Sequence, residues 1–230
     1  MSEESLRGMR LGIVGAGVMA ELRGSLHPEQ LVISIIAGAT TTALGEGLDH
    51  PAVVRCMPNT PAQIGRGVTV WYATGSVDEV GKARTRAMLA ALGREFEVHD
   101  ERQVAMATAV SGTGPTYIFL FIEALTDAAV HLGFPRHVAR ELVLDTMQGS
   151  AEFALQSGKH VAELRDMVTS PGGTSAEALY QLERGGLRTV VSDAVWAAFE
   201  RTLRIEATLE QRAPEQVSTS TKRTGRPSRT

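Results

Sequence analysis

Short apolar runs separated by glycine and proline fill the first part of the chain, and long helical patterns fill the rest. Leu11–Val14, Leu31–Ile36, Ala52–Cys56, Val68–Tyr72 and Glu95–Val98 read as β-strands. The first three are nearly continuous in apolar residues, as expected of parallel strands covered on both faces. Ser76-Val-Asp-Glu79 has the spacing of a capping box, which predicts a helix reaching about Leu92 with Gly93 as its stop. Strands alternating with glycine-rich turns and amphipathic stretches predict an α/β domain over residues 1–99.

From Asp100 to about Glu210 the pattern predicts an all-α domain, residues 100–210. Within it Tyr117–Leu132 is apolar around most of its circumference, so that helix needs cover on every side. One chain with few other helices cannot supply that cover, which implies a second subunit and hence a homodimer or higher homo-oligomer. Pro135 suits the first turn of a helix running to about Gln156 with Gly158 as its stop, and Gly185 and Gly186 separate two further helices. Residues 211–230 are poor in apolar side chains and read as a disordered tail.

The charge balance narrows the partners. A formal net charge of -3 and a pI near 6.1 give no basic field for nucleic acid or an anionic membrane. The longest apolar runs, Leu31–Ala37 and Tyr117–Ile122, fall far short of the ~20 residues a membrane-spanning helix needs. Cys56 is the sole cysteine, and it reads as a small buried side chain. With no disulfide and no leader pattern, the expected location is the cytoplasm. The histidines are scattered without ligand spacing, and His-Glu-x-x-His, Gly-x-Ser-x-Gly and phosphate-loop patterns are all missing, so no metal site is expected.

Four stretches carry candidate chemistry. Gly12-Ile-Val-Gly15-Ala16-Gly17-Val18-Met19-Ala20 is a strand entering a Gly-x-Gly-x-x-Ala turn at a helix start, the arrangement that holds a dinucleotide pyrophosphate. The acidic residue expected about 20 positions on is absent, and a turn serving only strand–helix packing remains an alternative. Arg55-Cys-Met57-Pro58-Asn59-Thr60-Pro61 follows a strand, where α/β sheets bind ligands. Asn59 there suits an amide or ribose, or an Asx turn within its own backbone. Ser111-Gly112-Thr113-Gly114-Pro115 must break or kink a helical run, for function or to accommodate a neighbouring helix. Thr169-Ser170-Pro171-Gly172-Gly173-Thr174-Ser175 opens a helix running to Arg184. Amides at Gly173 and Thr174, the helix dipole and the hydroxyls of Ser170 and Ser175 favour a carboxylate, with a plain helix cap as the alternative.

In this order, the glycine turn, Met57-Pro-Asn-Thr-Pro61, Ser111-Gly-Thr-Gly-Pro-Thr-Tyr117 and Ser170-Pro-Gly-Gly-Thr174 resemble the signature set of pyrroline-5-carboxylate reductases over roughly residues 9–207. The resemblance implies a Rossmann-like domain, here truncated, followed by a helical domain whose long helices interlock in a dimer. It implies reduction of 1-pyrroline-5-carboxylate to L-proline with NADPH or NADH. Gly15, Ala16, Gly17, Val18, Met19, Ala20, the Ile36-Ala37-Gly38 turn and Asn59 would then lie on the dinucleotide. Ser170, Gly172, Gly173, Thr174 and Ser175 would hold the substrate carboxylate, with Ser175 as the hydroxyl beside the imine nitrogen. Family members usually carry threonine at Ser175. The chain also departs from the family between Glu21 and Leu31, where roughly 70 residues, about two βαβ units, are absent. With them go the turn that would read the adenosine ribose and the family's Ala-Val-Lys-Pro segment. Two outcomes are consistent with that departure: a working or weakened reductase, or a catalytically inactive dimerising remnant.

Overall fold

The computed structural model describes residues 22–220, with side chains described through Gln211. The predicted strand Leu11–Val14 and the Gly15–Ala20 turn lie outside the described residues. The chain divides into two compact units, one holding residues through Pro115 together with those from Val195 on, the other holding Thr116–Ala194.

The first unit is built on a four-stranded sheet in the order β1-β2-β3-β4, with β1 Val32–Ser34, β2 Val53–Met57, β3 Gly67–Ala73 and β4 Gly93–Glu97. β1 and β2 are parallel, with Val32 opposite Val53 and Ser34 opposite Arg55. β2 and β3 form an antiparallel pair, and β3 and β4 are parallel. Helix α1, Thr41–Leu48, connects β1 to β2, and α2, Glu79–Ala90, connects β3 to β4. β2 is covered on both faces, as its apolar run predicts. Val54, Cys56, Trp71, Val77 and Leu89 pack on one side, and Ala39, Leu44 and Val53 on the other.

Two local readings are corrected. Helix α2 is capped by Asp78, whose Oδ1 accepts from the Gly81 amide at 2.7 Å, and not by Ser76. Asp78 stands adjacent to the first helical residue, the position from which a short carboxylate reaches an orphan N–H. The helix ends at Ala90, and Gly93 opens β4 instead of stopping the helix.

Helix α3, Arg102–Ala107, runs through a π-helical turn, Thr108–Gly112, into α4, Gly114–His131. The glycines and Pro115 are thus absorbed as a wider turn within one helical course. Helices α5 Arg136–Ser157, α6 Val161–Met167, α7 Thr174–Arg184 and α8 Leu187–Ser220 follow. Gly158 ends α5 in the left-handed conformation, as predicted. Helix α8 continues through Ser220, so the stretch after Gln211 begins as helix where a disordered tail was expected.

The compact units divide differently from a boundary at Asp100. Ala105 and Ala109 bury against Phe199 of α8, and Leu209 packs beside Val53 and Leu44, which places α3 and the later part of α8 with the sheet. In the second unit, α4 has one buried residue, Thr126, while Phe119 is 62% and Leu120 66% exposed. The apolar circumference of α4 is therefore uncovered within a single chain, as the second-subunit argument requires.

Candidate active site

The parallel register of β1 and β2 brings two sequence-predicted stretches together. Ile36-Ala37-Gly38 and Met57-Pro58-Asn59 both follow the C-terminal ends of these neighbouring strands, so they share one edge of the sheet. That edge is where open α/β sheets bind ligands. The turn closes through an Ala39 amide bond to the Ile36 carbonyl at 3.3 Å, and Gly38 sits at φ 80°. A Cβ at Gly38 would also collide with the Ile205 side chain of α8, so this turn requires glycine twice over.

Asn59 does not make the Asx turn that was one of the two expectations for its side chain. Its Oδ1 accepts from the Val68 amide at 2.9 Å, and its Nδ2 donates to the Ser111 carbonyl at 3.1 Å. No side-chain bond caps the short 3-10 helix Thr60–Ile64 that it precedes.

A feature the sequence reading missed lies directly beneath this edge. Arg55 is 2% exposed in the centre of β2. Its guanidinium pairs with Glu101 at 3.1 Å and with Glu206 of α8 at 2.6 Å. Glu101 in turn accepts from the backbone amide of Thr41 at 2.7 Å and from its hydroxyl at 2.6 Å, at the start of α1. The buried guanidinium is thus paired with two half-buried carboxylates and hydrogen-bonded, the condition under which its burial is tolerated. The available signal was an arginine inside an otherwise apolar strand.

In the second unit, Gly172 has φ 70° and lets the chain turn from Ser170 into α7. A Cβ at Gly173 would come within 2.7 Å of Ser170 Oγ and force that hydroxyl to move, whereas Gly172 has open space around it and is required by its backbone angle alone. The Gly173 amide donates to the Ser170 carbonyl at 3.0 Å, which corrects the expectation that this amide is offered to a carboxylate. The turn itself consumes that donor. Helix α7 has no side-chain cap, so its first-turn amides at Thr174 and Ser175 open the helix without one, beside the exposed hydroxyls of Ser170 and Ser175.

Cys56 is buried, and burial pushes its thiol from the ordinary 9.0 up to about 12, leaving it inert. Among the described residues, no cluster of His, Cys, Asp and Glu side chains is arranged to hold a metal ion.

A Rossmann-like sheet with two turns at the C-terminal ends of neighbouring parallel strands, followed by helices whose apolar faces stand open, defines a two-part α/β and helical protein. Comparison with known proteins makes the assignment specific. Residues 101–205 match the family model described as pyrroline-5-carboxylate reductase dimerisation. The chain is 40% identical over 185 residues to a pyrroline-5-carboxylate reductase of Synechocystis, covering 80% of this chain and 68% of the relative. It is 42% identical over 220 residues to one of Mycobacterium leprae, covering 86% and 73%. The crystal structure of Plasmodium falciparum pyrroline carboxylate reductase with NADP bound is similar, with a TM-score of 0.79, 34% identity, and coverage of 83% of this chain and 76% of that one. The chain belongs to the pyrroline-5-carboxylate reductase family.

Proposed function

We propose that this chain reduces 1-pyrroline-5-carboxylate to L-proline with NADPH, as a homodimer or larger homo-oligomer in the cytoplasm. Family membership supports the reaction, and NADP in the Plasmodium relative supports the cofactor. The observation that carries the reading is the start of α7, where uncapped amides stand beside the Ser170 and Ser175 hydroxyls. An anion is favoured there by the helix dipole and by N–H groups that lack an intrahelical acceptor. The substrate's carboxylate is that anion.

The described residues fit a dinucleotide in one respect: the Ala37-Gly38 turn and the Asn59 loop share the ligand-binding edge of the sheet. Ala37 and Gly38 would approach it through backbone, while Asn59 shapes the loop beside it. Gly15, Ala16, Gly17, Val18, Met19 and Ala20 are assigned to its pyrophosphate from their sequence pattern. When bound, the reduced nicotinamide supplies a hydride to the imine carbon. The chain's own residues orient the substrate. Ser170, Thr174 and Ser175 fix its carboxylate, Gly172 and Gly173 shape the turn that presents them, and the Ser175 hydroxyl lies within the same turn to steady or pass the proton that the imine nitrogen gains. Positioning and exclusion of water supply most of the rate. The unit holding the sheet forms the cofactor region, and the unit Thr116–Ala194 the substrate and dimerisation region.

A second reading, a dimerising remnant without activity, is favoured by the short connection into β1. Residues 23–30, which follow helical Leu22, are turns and bends, and the Gln30 carbonyl lies 2.7 Å from His50 Nε2. Assay of NADPH oxidation with and without pyrroline-5-carboxylate decides between the two. The proposal expects substrate-dependent oxidation that a Ser170→Ala, Ser175→Ala double variant loses through a substrate KM at least about tenfold higher. Absence of oxidation by the folded oligomer favours the remnant.

A further inference from the structure

Pro115 has no backbone N–H, so the donor that an α-helix would offer to the Ser111 carbonyl does not exist. Asn59 Nδ2 donates to that same carbonyl at 3.1 Å. On its other side Asn59 Oδ1 accepts the Val68 amide at 2.9 Å. The antiparallel pairing of β2 and β3 stops at Met57 opposite Val70, so the Val68 amide, two residues back along β3, lies beyond the ladder and needs an acceptor. The Asn59 side chain therefore takes over the next bond on β3. One amide group closes two backbone vacancies, one beyond the end of a sheet ladder and one in a π-helical turn, the second of them created by Pro115.

We propose that Asn59 is a positioning residue, which fixes the ligand-edge loop Met57–Pro61 against the π-helical turn Thr108–Gly112 and acts on cofactor binding through that loop. The proposal rests on the reductase reading for its kinetic consequence and on geometry alone for its structural one. Buried polar backbone left unpaired is costly, and a π-helical turn within a helix is a frequent mark of a functional site. The side chain is a better fit to this role than to direct contact with the dinucleotide, because its oxygen and one amide hydrogen are already engaged within the protein.

The arrangement makes a specific pairwise claim. In Asn59→Ala the Ser111 carbonyl loses this donor. In the Asn59→Ala, Pro115→Ala double variant, the backbone N–H restored by the proline substitution can supply one from within the helix. Five full-length oligomers are compared: the unaltered chain, Asn59→Ala, Pro115→Ala, their double variant and Asn59→Asp. Asn59→Ala is expected to raise the KM for NADPH about tenfold with kcat changed less than about threefold, and the double variant to recover to within about threefold of the unaltered KM. Asn59→Asp keeps the acceptor for Val68 and loses the donor to Ser111. Hydrogen exchange of the Val68 amide is therefore expected to accelerate in Asn59→Ala and in the double variant, and to stay slow in Asn59→Asp.

A double variant no better than Asn59→Ala, or Val68 exchange indifferent to all three changes, overturns the proposal. If the unaltered chain oxidises no NADPH, the reductase reading fails by itself. The proposal is then judged on Val68 exchange and on the urea midpoints, where Pro115→Ala must offset part of the Asn59→Ala loss, and additive midpoints overturn it.

Discussion

Arg55 Nη2 lies 2.6 Å from Glu206 Oε1 and joins residues 151 apart in sequence across the first compact unit. The same guanidinium holds Glu101, whose carboxylate receives the first amide of α1. The strand under the ligand edge, the helix after the Ala37-Gly38 turn and the later part of α8 are thus fastened at one buried point.

Removing Arg55 leaves two carboxylates facing each other with no cation. Arg55→Ala is expected to lower the unfolding free energy by roughly 3–5 kcal/mol. Arg204→Ala, which breaks the exposed pair with Glu200 at 3.3 Å, is expected to change it by less than about 1 kcal/mol. Urea unfolding at one fixed protomer concentration measures both, and similar values for the two would contradict the assignment.

Cys56 gives a pH dependence with a definite sign. Its thiol ionises near 9.0 when exposed and near about 12 when folded, so the unfolded chain releases the proton first. The folded state is not penalised below the lower value and loses stability progressively as pH rises toward the upper one. The difference in stability between the unaltered chain and Cys56→Ala is expected to be flat up to about pH 9 and then to shift against the unaltered chain. Iodoacetamide at pH 8 is expected to label Cys56 only as the protein unfolds, and rapid labelling of the folded form would contradict its burial.

The exposed apolar face of α4 is the expected assembly contact. Leu120→Glu places a charge where a partner's apolar surface is expected. It should weaken self-association at least about a hundredfold, read by sedimentation velocity, with helical circular dichroism retained. An unaltered dimer would move the contact elsewhere on the helical unit.

The sequence showed elements well where a single physical signal dominated. β2 was visible in Ala52–Cys56 because apolar residues on both faces leave little ambiguity, and the Gly158 and Gly185-Gly186 stops were visible because few residues other than glycine end helices so sharply. The start of α2 was misplaced because Ser76 and Asp78 are both good caps within one short window, and only backbone geometry selects between them. The site was legible as motifs and less so as bonds. The helix beginning at Thr174 was clear from its glycine pair, yet the Gly173 amide is spent on Ser170 in a turn whose closure no composition reveals. Arg55 carried a readable warning, a charge between Val54 and Cys56, but Glu101 and Glu206 are brought to it by tertiary packing, which leaves no local trace. Asn59 was picked out correctly as a polar group at a strand end, while its partners Val68 and Ser111 depended on knowing where a ladder stops and a helix widens.

Whether this shortened chain still delivers a hydride to the cyclic imine can be read from the product itself. The purified oligomer is incubated with pyrroline-5-carboxylate and NADPH deuterated at the transferring nicotinamide carbon, and the product is weighed by mass spectrometry. Proline carrying one deuterium is expected from the unaltered chain, with loss of that product in the Ser170→Ala, Ser175→Ala double variant. A folded oligomer that yields no labelled proline would contradict the proposed reaction.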